Sequence, residues 1–114
     1  MLFLESANGV KYIHAVKIGK LLKIPNTTQF LGNNKITSVK FSKTVTSRLC
    51  ISVPGAIQML VKRNFGGNEA AAVLFYRNDQ LKDLDRVRLV LEFLEAQEPG
   101  ILDLKPAGRK IKGR

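Results

Sequence analysis

The chain is poor in the residues that usually perform chemistry. It has one cysteine, Cys50, one histidine, His14, and no tryptophan. A single cysteine excludes an intrachain disulfide and favours a reducing compartment. With one cysteine and one histidine, a structural zinc site built from those residue types is also excluded. Cys50 lies in the apolar run Leu49-Cys50-Ile51 and reads as a small buried hydrophobe. His14 is remote from it in sequence, which speaks against a Cys–His nucleophile pair. At a strand-to-helix junction His14 reads as structural or solvent-exposed.

Other constellations are missing as well. Gly66-Gly67 lacks the Lys-Ser/Thr that completes a phosphate-binding loop, and there is no Gly-x-Ser-x-Gly elbow. Asp79, Asp83 and Asp85 alternate with Lys82 and Arg86 on a helical pattern, so ion pairs along a helix surface explain them better than a metal cluster. The expectation is a protein that is not an enzyme and has no cofactor and no metal. No segment reaches the roughly 18 apolar residues of a membrane helix. The start, Met1-Leu2-Phe3-Leu4-Glu5, lacks the basic region of a signal peptide. This leads to the expectation of a soluble, non-secreted protein of the cytoplasm or a host nucleus.

Acids are scarce too, with 9 Asp and Glu against 19 Lys and Arg for a net charge of +10. The surplus is segregated. Residues 1–65 carry +9, residues 66–104 carry −4, and residues 105–114 carry +5. Self-repulsion on this scale works against compaction, and solubility does not require segregation. The pattern points to an anionic partner, with nucleic acid the leading candidate.

The length of 114 residues suits one domain. The local patterns predict an α+β fold over residues 1–104, with two β-hairpins, short helices and one longer C-terminal helix. The tail, 105–114, reads as a flexible basic segment. Asn8-Gly9 marks a first hairpin between 1–5 and 10–13. Ile18, Leu21 and Leu22 recur at helical spacing, and Pro25 ends that helix. Asn26 or Thr27 caps a short second helix that Gly32 and Asn33 terminate. A second hairpin joins 36–41 to 45–53, with its turn near Ser42-Lys43-Thr44. Pro54 opens a helix with Ile57, Leu60 and Val61 on one face, ended by Gly66-Gly67. An alanine-rich helix runs from Asn68 or Glu69 to Tyr76. Asn78 or Asp79 caps the last helix, 79–97, with a core stripe of Leu81, Leu84, Val87, Leu91 and Leu94. Val90 and Phe93 widen that stripe, which suits either burial on two sides or a homodimer.

Candidate contact residues follow from the charge. Lys17, Lys20 and Lys23 step round one face of the first helix. Asn26, Thr27, Thr28 and Gln29 follow at its turn. Lysines anchor phosphates, Gln and Asn can pair bidentately with adenine, and hydroxyls and N–H groups at a helix start can hold a phosphate. Asn26 and Thr27 equally suit a purely capping role. Lys35, Lys40, Lys43, Arg48, Lys62 and Arg63 extend the basic surface. Arg109, Lys110, Lys112 and Arg114 in the tail should add affinity without specificity. Tyr12, Phe30, Phe41 and Phe65 lie among the bases, but mostly at apolar-periodic positions that favour the core over base stacking.

The segment from Tyr12 to Thr27, Tyr-Ile-His-Ala-Val-Lys-Ile-Gly-Lys-Leu-Leu-Lys-Ile-Pro-Asn-Thr, resembles the opening helix and turn of the Bro-N domain. That domain occurs in baculovirus repeated-open-reading-frame proteins and phage antirepressors. Tyr12, Leu22, Asn26 and Thr27 stand at its pattern positions. The run from Ile51 to Arg63 is similar to a family segment that enters a helix at Gly and ends on basic residues, and Asn68-Glu69-Ala70 matches a short motif after it. The likeness covers about residues 1–78. It departs at Lys17, where the family has an acid, and at Phe75 or Tyr76, where it has Trp. The resemblance implies a viral or phage DNA-binding regulator. Two other readings stand beside it. One is an RNA-binding or ribosome-associated protein, and the other is a small viral inhibitor of a host nucleic-acid enzyme. DNA is favoured over RNA as the partner.

Overall fold

The computed structural model describes residues 3–5, 9–42, 47–98 and 100. The fold is α+β. Four short strands, β1 (Phe3–Glu5), β2 (Lys11–His14), β3 (Ser38–Ser42) and β4 (Ser47–Ile51), form one antiparallel sheet in the order β1-β2-β4-β3. Five helices pack with it: α1 (Ala15–Leu21), α2 (Thr27–Asn33), α3 (Val53–Lys62), α4 (Glu69–Arg77) and α5 (Asp83–Gln97).

The two hairpins expected from sequence are present, but they are not separate. Ile13 pairs with Ile51 and His14 with Cys50, which joins them into a single sheet. The first hairpin also differs in register. Phe3 pairs with Ile13 and Glu5 with Lys11, one step off what a two-residue Asn8-Gly9 turn would give. Gly9 has φ 86°, in the left-handed region that favours glycine, and the rest of the expected turn, residues 6–8, lies outside the described residues. The turn expected near Ser42-Lys43-Thr44 falls on residues 43–46, outside the described residues.

Ile13 and Ile51 from the sheet meet Ile18 and Leu22 from the α1 segment, Met59 and Leu60 from α3, Phe65, Phe75 from α4, and Val87, Val90 and Leu91 from α5. All are buried, and they make one continuous core. Val90 is thus consumed inside the chain, and Phe93 packs against the same core. The wide stripe of α5 reflects burial against several elements, and the argument it offered for a homodimer falls away. Two further corrections concern helix faces. The buried side of α3 is Gly55, Ala56, Met59 and Leu60, and Val61 is exposed. The last helix begins at Asp83 rather than 79, because Asn78 caps the end of α4, its Nδ2 donating to the Leu74 carbonyl at 2.7 Å.

Asp83 and Asp85 sit in the first turn of α5, where carboxylates complement the helix dipole, and Asp79 lies before the helix. Arg86 makes one of the expected ion pairs, Nη1 to Asp83 Oδ1 at 3.9 Å one turn back, and its side chain also reaches inward. Its Nε and Nη2 donate to the Phe75 carbonyl at 3.2 and 2.8 Å, and its guanidinium lies 3.9 Å from the centre of the Phe75 ring. One of the four bases in the acidic half is therefore a fastener between α4 and α5. Arg88 lies over the Phe3 ring at 4.9 Å.

The ends of α1 and α2 share a device that the sequence does not advertise. After α1 the chain does not run on to Pro25. It turns at Lys23, φ 61°, with Lys23 N–H donating to the Lys20 carbonyl and Ile24 N–H to the Gly19 carbonyl. After α2 it turns at Lys35, φ 55°, with matching bonds from Lys35 to Gly32 and from Ile36 to Leu31. Both are Schellman caps, and each places a buried isoleucine just beyond the left-handed residue. Gly32, expected to end α2, is inside it. A lysine in the left-handed region costs roughly 1–2 kcal/mol, which glycine avoids. Lys35→Gly should therefore raise stability by about 0.5–1 kcal/mol after allowing for the looser unfolded chain. Chemical denaturation checks this, and an unchanged midpoint would show that the turn is not strained.

Candidate nucleic-acid interface

The α1–turn–α2 unit is fixed by one close contact. Gly19 on α1 lies against Thr27 at the start of α2, and a methyl group added at Gly19 would overlap the Thr27 hydroxyl and come within 3.3 Å of its Cβ. Thr27 is consequently buried, at 9% exposure. It packs the two helices together, and its expected role as a surface contact is corrected. Asn26 acts as the cap, its Oδ1 accepting the Gln29 N–H at 3.0 Å, while the residue itself remains exposed. The capping alternative is therefore the right one for the Asn26 Oδ1. With only seven residues in α2, no phosphate site is assigned to its N-terminus.

Burial divides α2 cleanly. Thr27 and Leu31 face the core, and Phe30 is half-buried. Thr28, Gln29, Gly32 and Asn33 form the exposed face, which carries hydrogen-bonding groups and no charge. Two hollows flank the Pro25-Asn26 ridge at its start. One, of about 190 Å³, is lined by Ile24, Pro25, Asn26, Gln29, Phe30, Asn33 and Arg63. The other, of about 330 Å³, is lined by Val16, Lys20, Ile24, Pro25 and Asn26 to Thr28. Arg63 reaches this place because it caps α3, and its Nη2 donates to the Lys23 carbonyl at 3.2 Å. The fold thus brings Lys20 and Arg63, 43 positions apart, to opposite sides of one ridge, and Lys35 stands at the far end of α2.

The other expected contacts separate from this group. Lys23 is not on α1, and its ammonium is ion-paired with Glu98 just past α5. Lys17 is half-buried on α1 and lines neither hollow. Lys62 is exposed on the last turn of α3, outside both hollows. Lys40 pairs with Leu49 and Arg48 with Phe41. Lys43, Arg109, Lys110, Lys112 and Arg114 lie outside the described residues.

Sequence reasoning missed Asn33 and Gly32 as surface residues, having used them to stop the helix. The signal was available, since Asn33 lies four positions after Gln29, on the same face of any helix that continues. Of the aromatics, Phe65 is buried against Phe75, with ring centres 5.5 Å apart, and Phe30 lines one of the two hollows. His14 and Cys50, remote in sequence, are direct partners across β2 and β4, and both are buried. Sequence separation was the wrong ground for keeping them apart. Among the described residues there is no cluster of three or more metal-ligating side chains, and no helix is long and apolar enough to cross a membrane.

No family model, no curated protein and no solved structure matches the chain.

Proposed function

We propose that the protein is a DNA-binding regulator that lays the exposed face of α2 against a duplex. The observation that carries this reading is the composition of that face. Uncharged donors and acceptors, Thr28, Gln29 and Asn33, occupy its middle, Lys20 and Arg63 line the hollows at its start, and the exposed Lys35 follows its C-terminal cap, outside both hollows. Groups that can read base edges are thus flanked by groups that can hold phosphates. In DNA-binding helix pairs the second helix enters the major groove while the first supports it. The pairing of α1 with α2 through Gly19 and Thr27 suits that division of labour. The +9 charge of residues 1–65 supplies the long-range attraction. The resemblance to Bro-N domains runs through this same segment and supports a viral or phage setting.

Fluorescence anisotropy with a short duplex over a range of salt tests the reading. With about five phosphates neutralised, log affinity should fall against log salt with a slope of roughly −4 to −5. A slope near zero would rule out electrostatic DNA binding. Tighter binding to a hairpin RNA than to the matched DNA duplex would favour the RNA-binding alternative.

A further inference from the structure

Gly32 is the odd residue of the exposed α2 face. It lies inside the helix, one position from its last residue, where glycine is about 1 kcal/mol worse than alanine. Its backbone is not in the left-handed region, and a methyl group there would meet nothing within 4 Å. Neither conformation nor packing inside the chain requires a glycine at this place. Glycine does allow another molecule to approach a helix backbone closely.

Its neighbours indicate what that molecule would present. Gln29 and Asn33 are spaced i and i+4, so their Cβ atoms stand about 5–6 Å apart in one row along the helix, beside the bare stretch at Gly32. An A·T pair offers the adenine N7 and N6 groups to a carboxamide, and beside them the C5-methyl of thymine, which needs room. A G·C pair offers no methyl, and its acceptors pair best with Arg or Lys, neither of which is on this face of the helix.

We propose that this face reads A·T pairs, with Gln29 and Asn33 pairing with adenines and the exposed backbone at Gly32 receiving a thymine methyl. The inference rests on the DNA-binding reading above and deepens it. Gln29 remains able to serve because its backbone N–H, not its side chain, is used by the Asn26 cap.

The test uses the full chain and three alternating copolymer duplexes, poly(dA-dT), poly(dG-dC) and poly(dA-dU), the last lacking only the methyl. The parent should bind poly(dA-dT) at least about tenfold more tightly than poly(dG-dC), with poly(dA-dU) between them. Gly32→Ala should melt no lower than the parent, bind poly(dA-dT) about tenfold more weakly, and lose its preference for poly(dA-dT) over poly(dA-dU), since the added methyl occupies the space. Should the Gly32→Ala variant be destabilised, the paired variant Gln29→Ala/Asn33→Ala decides the matter. It should erase the preference for poly(dA-dT) over poly(dG-dC) while keeping the salt slope. Equal binding of all three duplexes by the parent, or unweakened binding of poly(dA-dT) by Gly32→Ala, would overturn A·T reading and leave DNA binding standing. Failure to bind any duplex would overturn both.

Discussion

Gly19→Ala should destabilise the protein by about 2–3 kcal/mol and lower its melting temperature by on the order of 10 °C. The new methyl has nowhere to go. It would overlap the hydroxyl of Thr27, which is buried and β-branched and so has few rotamers to escape into. The helices must then part or Thr27 must leave its place, and either change moves the exposed face of α2. Thr27→Ala alone should cost far less, because it removes a small side chain from a position that still keeps its helix. The two substitutions together should be much better tolerated than their separate costs imply, since the second removes the atoms that the first strikes. A coupling of about 1 kcal/mol or more between them, measured by denaturant unfolding, is the expected signature of direct contact. Simple additivity, or a Gly19→Ala variant as stable as the parent, would show that α1 and α2 are not locked through this point.

Replacing Lys20, Lys35 and Arg63 together by Gln should weaken duplex binding at least about 30-fold near physiological salt, about 2 kcal/mol. The salt slope should become shallower by roughly 2.7, as three phosphate contacts disappear. The fold should survive, because Lys35 and Arg63 are exposed and Lys20 only half-buried. The Arg63 bond to the Lys23 carbonyl is also exposed and contributes little to stability. A control of equal charge separates a local interface from diffuse attraction. Lys62, Arg77 and Lys82 are exposed and line neither hollow, and their joint replacement by Gln should have a much smaller effect. Equal losses in the two triple variants would show that the duplex does not settle on the α2 face. This set differs from the Lys17, Lys20 and Lys23 stripe that helical spacing suggests. Lys23 lies beyond the end of the helix and is held by Glu98, 75 positions away.

The contrast between those two lysine sets shows where sequence reasoning stops. Periodicity located α1, α3, α4 and α5 and the strands of both hairpins, because the spacing of apolar residues follows the geometry of each element. It misplaced ends. Lys23 and Lys35 adopt a conformation that lysine disfavours, so nothing in their identity marks the caps. The burial of Ile24 and Ile36 drives those turns, and burial is a property of the assembled core. Asn78 could cap either neighbouring helix by composition, and its side chain chose the end of α4.

By itself the sequence determined the class of fold, the segregation of charge, the lack of familiar catalytic motifs and the residue types available to meet an anion. Each follows from composition or from spacing within one element. Only the tertiary structure decided which of the bases share a surface. Arg63 joins Lys20 at the Pro25-Asn26 ridge because α3 ends beside the α1–α2 turn. Thr27 is withdrawn from that surface because Gly19 lets α1 approach it. Arg86 is spent on the Phe75 carbonyl, and Val90 on the core. In every case the outcome depends on contacts between segments far apart in the chain. Such contacts are set by how the elements pack around one core and leave no regular spacing in the sequence to read.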